Sequence, residues 1–259
     1  MQNTDNASEN EIKIVQLFNE NVRGKIADSS QSNARHDGKD GHWLEKQMGI
    51  AHNRNTEPDL LGFEMKNTTG GKTTFGDWSA DYYIFRNPES GLSRTDFIRT
   101  FGKPNPAKEN RYSWSGSPIP TVHHNSTYNG SRLVIDENTN NISIVYDFSN
   151  DPRLDKSVII PEHLQIDNLV LAQWLGTSLE RNLAKKFGQG GWFKCYKNSQ
   201  GIYNCIAFGE PITFENWIDW VKKGIVFFDS GMYDGNSRNY SQWRANNSHW
   251  DSLIQREYY

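Results

Sequence analysis

Pro58-Asp59-Leu60-Leu61-Gly62-Phe63-Glu64-Met65-Lys66 (PDLLGFEMK, residues 58–66) is the stretch on which the fold of this chain turns. Phe63 and Met65 alternate with Glu64 and Lys66, which is the period of a strand. The two apolar side chains therefore share one face, and the two charged ones share the other. Asp59 stands at the start of that strand, directly after Pro58, at an odd offset from Glu64. Bringing the two carboxylates together requires a bend or bulge. An E-x-K pair alone is most often a solvated ion pair across one face. Glu45 argues against that here. It lies in GHWLEKQMGI (41–50), which predicts a short helix with Trp43, Leu44 and Met48 turned inward. A carboxylate on the inward side of a helix is costly unless it is paired or bound to a metal.

The chemistry of such a set is specific. Two carboxylates sharing a hard divalent cation suit magnesium, which takes oxygen ligands and keeps several waters. The ion neutralises a phosphate and makes a bound water acidic enough to attack phosphorus. A lysine beside that water positions it, or holds charge as the pentacovalent transition state forms. Glu45, Asp59, Glu64 and Lys66 are the candidate catalytic cluster.

Working outward, residues 11–27 place Ile12, Val15, Phe18, Val22 and Ile26 at helical spacing. The polar stretch SSQSNARHDGKDG (29–41) separates this helix from the one carrying Glu45. After a turn at Gly70-Gly71, TTFGDWSADYYIFRN (73–87) predicts one or two strands. Ser93 is a plausible N-cap for RTDFIRTF (94–101), which Gly102 and Pro104 end. Residues 105–130 read as loop, and SRLVIDE (131–137) and NISIVYDF (141–148) as paired strands. Pro161 leads into a predicted helical stretch ending at LERNLAKKF (179–187), with Gly188 past its end. WFKCYKN (192–198) and GIYNCIAF (201–208) pair as a hairpin, and Thr213 precedes a helix in FENWIDWVKK (214–223). The spacing of Trp217 and Trp220 on that helix fits core packing. IVFFDSGMYDGNSRNYSQWRAN (225–246) reads as two strands around a long polar loop. The sum is an α+β chain, helices against a mixed sheet, without regular βαβ alternation.

The 259 residues can bury one core or two closely joined ones. A mean hydropathy of −0.79 is polar. The 13% aromatic content, with nine tryptophans, nevertheless excludes a disordered chain. No run approaches the ~20 apolar residues of a membrane span, and MQNTDNASEN lacks a signal-peptide pattern, so a cytosolic address is expected. Cys195 and Cys205 are expected as free thiols there, and without a nearby histidine they offer no zinc site. A net charge of −3 argues weakly against nucleic acid. Arg86, Arg94, Arg99, Lys103, Lys108 and Arg111 are nonetheless dense enough to line a basic cleft.

Gly41-x-x-Leu44-Glu45 followed by Pro58-Asp59-(x4)-Glu64-x-Lys66 resembles the PD-(D/E)xK nuclease superfamily, and within it the MutH-like branch that includes the restriction enzymes MvaI and BcnI. The similarity runs on through Phe85-Arg86-Asn87-Pro88, Phe101-Gly102-Lys103, Gly231-Met232-Tyr233 and Trp243-Arg244, over about residues 37–254. It departs from that branch in 234–246, which carries no histidine, and in Asp229, where a basic residue is expected. The resemblance implies a PD-(D/E)xK core, a mixed central sheet flanked by helices, with a β-rich DNA-recognition lobe. Residues 1–110 and 160–224 are expected in the catalytic lobe, and 111–159 and 225–259 in the recognition lobe. By the same resemblance Asp59, Glu64 and the Met65 backbone carbonyl hold Mg2+ (with Mn2+ as substitute). Lys66 assists the nucleophilic water, and Glu45 supports the ligands or binds a second ion.

The implied activity is that of a type II restriction endonuclease, leaving 5′-phosphate and 3′-hydroxyl ends on double-stranded DNA. The expected form is a monomer in the bacterial cytoplasm, away from any membrane, with a cognate DNA methyltransferase as genetic partner. If the site follows that branch, its sequence is of the CC-N-GG kind. Arg244 is the leading base contact, because arginine reads guanine bidentately. Arg238, Asn236 and Tyr233 share its loop, Lys103 and Lys72 are candidate phosphate contacts, and His124, beside His123, is a further candidate. Two alternatives stand beside this: a methyl-directed strand-nicking repair nuclease, and a non-catalytic DNA-binding protein of the same fold.

Overall fold

The computed structural model describes residues 7–28, 39–50, 57–67, 71–115 and 118–259. The polar stretch 29–38 and Gly70 lie outside them. The chain opens with α1 (Glu9–Asn21), α2 (Lys39–Gln47), β1 (Phe63–Lys66), β2 (Lys72–Asp77), β3 (Tyr82–Tyr83) and α3 (Arg94–Phe101). It continues through β4 (Lys103–Asn105), β5 (Arg111–Trp114), β6 (Arg132–Ile135), β7 (Ile142–Tyr146), α4 (Lys156–Ile159), β8 (Leu169–Trp174) and α5 (Gly176–Phe187). The last third holds β9 (Gly191–Lys197), β10 (Tyr203–Gly209), α6 (Phe214–Lys222), β11 (Val226–Ser230), β12 (Met232–Tyr233), β13 (Ser241–Asn246), α7 (Asn247–Ser252) and β14 (Ile254–Tyr258). The α+β class is as expected. Among the described residues no helix is long and apolar enough to cross a membrane.

The chain divides into two units. The first comprises Met1–Thr73, Asn182–Thr213 and Asn246–Tyr259, and the second Thr74–Arg181 and Phe214–Ala245. These bounds differ from the expected lobes. Residues 74–110, 160–181 and 214–224 fall with the second unit, and 246–259 with the first.

The first unit is built on a mixed sheet in the order β1-β9-β10-β14. β1 runs parallel to β9, and the other pairs are antiparallel. The period-two pattern of β1 works as predicted, but both faces are buried. Phe63 and Met65 join Phe193, Ile206 and Phe208 in one core with Ile14 and Phe18 of α1, Val22 just past its end, Leu44 of α2 and Met48 just past that helix. Trp43 stacks on Tyr203 at 5.7 Å. Cys195 and Cys205 are buried free thiols.

The second unit holds the sheets β3-β8-β7-β6, β12-β5-β4 and, with the second-unit part of β2, β11-β13-β2. Its core is aromatic: Trp174 and Trp217 each meet Trp243 edge-on, at 5.4 and 5.3 Å. Trp217 is thus core packing, as its spacing implied.

Three stretches depart from the sequence expectation. The helix drawn from Pro161 is interrupted: Leu169–Trp174 is β8, and α5 starts only at Gly176. LVLAQW is a short run, apolar but for Gln173, for which periodicity cannot separate helix from buried strand. Within the expected loop 105–130, Arg111–Trp114 forms β5 because β4 and β12 pair with it on either side. Finally β14 closes the first sheet, where Arg256 pairs with Glu11 and Glu210.

Candidate active site

The bend that Asp59 requires is present, in a form that the sequence does not announce. Leu60 N–H donates to Phe63 O (3.0 Å) and Phe63 N–H to Leu60 O (2.8 Å), closing a tight antiparallel turn. Its central residues, Leu61 at φ 49° and Gly62 at φ 86°, are both left-handed, as a two-residue turn of the primed kind demands. Glycine adopts that region freely, whereas a leucine there costs on the order of 1 kcal/mol. The turn is tied down from outside. Asn10 Nδ2 donates to Leu61 O (3.1 Å) and Gly190 N–H to Gly62 O (2.8 Å). Continuing the register set by Leu60 and Phe63 puts Asp59 beside Glu64. Met65 N–H then donates to Asp59 Oδ2 at 3.0 Å.

Glu64 is the electrostatic centre of the cluster. Its Oε1 lies 2.8 Å from Lys66 Nζ and 2.9 Å from Lys186 Nζ. Its Oε2 is buried without a hydrogen-bond partner. Lys66 is walled by aromatic faces, with Nζ 5.0 Å from the Phe187 centroid and 5.8 Å from that of Trp250. Those quadrupoles offset part of the cost of burying an ammonium. Burial still pushes its pKa down, against the pull of Glu64. Burial, and then the neighbouring Glu64 carboxylate, push the Asp59 pKa up to about 6. The Coulombic effect of Glu64 on Asp59 means that the two acids sense each other.

This donor chemistry fits a hard divalent cation. One carboxylate oxygen is buried and orphaned, and a second carboxylate is destabilised by its neighbour, so a cation between them would relieve both. Among the described residues no three His, Cys, Asp or Glu side chains form a ligand group. A cation bound there would draw its remaining oxygens from backbone, water or substrate.

Glu45, half-buried on α2, accepts from or pairs with His42 Nδ1 at 3.2 Å. Lys186 was not foreseen. It comes from the last turn of α5, remote in sequence from β1, and a lysine pair ending a helix carries no motif. Lys194 was missed as well. It lies opposite Lys66 in the β1–β9 register and is buried, 2.9 Å from Asp251 Oδ1.

The expected DNA contacts are placed as follows. Arg244, on β13, is half-buried; its Nε lies 3.4 Å from Asp229 Oδ2, and its Nη2 donates to Gln242. Exposed Arg238 donates to Asp77 Oδ2 (2.7 Å) and lies over the Tyr240 ring. Tyr233 carries the Arg111 guanidinium on its ring at 3.7 Å. The Asn236 amide is used within the loop: Oδ1 accepts from Arg94 Nη2 (2.8 Å) and Tyr233 N–H (3.1 Å), and Nδ2 donates to Gly231 O (3.0 Å). Lys103 and His124 are exposed, and Lys72, at the start of β2, is half-buried.

Much of the basic run therefore serves the fold. Arg94 braces the loop through Asn236, Arg238 and Asn239, and Arg99 pairs with Asp234 at 2.8 Å.

A family model described as LlaMI restriction endonuclease matches residues 22–258. The chain is 49% identical over 265 residues to the type II restriction enzyme ScrFI of Lactococcus lactis subsp. cremoris, covering 95% of this chain and 97% of that relative. In fold it is similar to the solved complex of restriction endonuclease MvaI with its cognate DNA substrate. That likeness has a TM-score of 0.66 at 15% identity and covers 97% of this chain and 98% of that one.

Proposed function

The chain belongs to the LlaMI restriction endonuclease family and is a type II restriction enzyme, and from that premise we propose that Asp59, Glu64 and Lys66 form a Mg2+-dependent centre for hydrolysing phosphodiester bonds in duplex DNA. The observation that carries this is the turn at Leu61-Gly62, which sets Asp59 beside a Glu64 whose Oε2 is buried and unpartnered. Asp59, Glu64 and the Met65 backbone carbonyl would hold the ion. When bound, Mg2+ (or Mn2+) neutralises the scissile phosphate and acidifies a water.

Lys66, fixed against Glu64 and walled by Phe187 and Trp250, orients the attacking water and carries positive charge toward the pentacovalent phosphorus. In-line attack breaks the bond to the 3′ oxygen, leaving 5′-phosphate and 3′-hydroxyl ends. Glu45 contributes from α2.

In this account the first unit is the catalytic lobe and the second carries recognition. Arg244 and Arg238 meet bases and phosphates after exchanging Asp229 and Asp77 for DNA, with Tyr233, Lys103, Lys72 and His124 as further contacts. Asn236 acts as the brace of the loop. The enzyme works as a monomer in the bacterial cytoplasm, alongside a methyltransferase that protects host sites. Digestion of mixed genomic DNA with Mg2+, followed by sequencing of the fragment ends, tests this. Ends that share one short flanking sequence support it. Intact DNA, or ends without a common sequence, overturns it.

A further inference from the structure

Lys66 is the lysine that the proposed chemistry uses, and Lys186 is a second one on the same carboxylate. Both lysines contact the same oxygen, Glu64 Oε1, and leave Oε2 bare. They are held differently. The Lys66 side chain is 4% exposed and lies on a paired strand between two aromatic faces. The Lys186 side chain is 19% exposed and reaches in from the last turn of α5, so it is the one free to leave. Two carboxylates, Asp59 and Glu64, face two ammonium groups, and their formal charges cancel. A divalent cation approaching that set meets no net attraction, and Lys186 competes with it for Glu64.

We propose, resting on the assignment of Asp59 and Glu64 as cation ligands, that Lys186 stands in for the divalent cation in the DNA-free enzyme. When duplex binds, it transfers from Glu64 to a phosphate. The transfer removes one positive charge from Glu64 as the phosphate adds a negative one, so cation affinity rises only with DNA in place. Lys186 is thus a positioning residue that couples cation loading to substrate.

The test is titration of Mn2+ against the DNA-free protein, with free ion read by electron paramagnetic resonance. Lys186→Met should bind Mn2+ about tenfold or more tightly than wild type, from the loss of one unit charge near a dication. Lys186→Arg keeps the charge and should stay within about twofold of wild type. Lys185→Met, one residue away where the lysine faces Glu57 instead, should do the same. Thermal melts confirm that each variant is folded. A Lys186→Met affinity equal to or weaker than wild type overturns the proposal, as does an equal gain in Lys186→Arg, which would mark lost shape instead of lost charge. Adding Asp59→Asn to Lys186→Met should abolish the gain. If the gain survives, the ion sits elsewhere, and it is the ligand assignment itself that fails.

Discussion

Asp59→Asn should abolish cleavage and at the same time stabilise the metal-free protein. The Asp59 carboxyl ionises near pH 6 in the folded state against 3.8 for its ordinary value, first because it is buried and then because Glu64 is close. The folded chain therefore holds that proton more tightly than the unfolded chain. Stability contributed by Asp59 falls as pH rises from about 4 through about 6, and stays low above that. A shift of about 2 units corresponds to about 3 kcal/mol at pH 8. Asparagine removes the charge while its side-chain oxygen can still accept from Met65 N–H. In EDTA at pH 8 the variant should melt roughly 6–12 °C above wild type, at about 2–4 °C per kcal/mol for a chain of this size. The difference should shrink as pH falls through about 6 toward 4, where the folded wild-type acid is protonated. Calorimetric melts of the two proteins from pH 4 to 8.5 measure it. A variant that melts lower than wild type at pH 8, or a difference independent of pH, would refute the reasoning.

Glu64→Gln should behave oppositely. It leaves Lys66 and Lys186 without their shared anion, and should lower stability at pH 8 by about 3 kcal/mol in the same melts. Leu61→Gly relieves a left-handed leucine that is already 42% exposed, and should raise stability by about 0.5–1 kcal/mol in denaturant titrations. Arg94→Ala removes the brace on residues 231–240. Amide exchange in that segment should accelerate, and DNA affinity measured in Ca2+ should fall by at least about tenfold, one lost charged hydrogen-bond set being worth more than 1.4 kcal/mol.

What was legible in the sequence follows from how local each feature is. Glu64 and Lys66 were readable because strand period alone puts them on one face. Asp59 was readable only as a requirement for a bend. Its place was not readable, because Leu61 is no turn residue, and the strand pairing and the bonds to Leu61 O and Gly62 O hold the bend there. Lys186 was illegible because it reaches Glu64 from a helix far along the chain, so only tertiary packing brings the two together. β8 was missed because a short, mostly apolar run fits either helix or buried strand. The loop around Asn236 shows a further limit. Composition marks it as polar, but not which of its side chains are engaged internally and which remain for a ligand.

The proposed centre of Asp59, Glu64 and Lys66 would hydrolyse duplex DNA with a divalent cation bound. The most direct measurement follows plasmid cleavage by pure wild-type, Asp59→Asn and Lys66→Ala proteins in Mg2+ and in EDTA, with DNA binding recorded in Ca2+. Wild type should cleave in Mg2+ and not in EDTA. Each variant should lose about a hundredfold or more in cleavage, with DNA binding retained. Cleavage by wild type in EDTA, or near wild-type cleavage by either variant, would contradict that assignment.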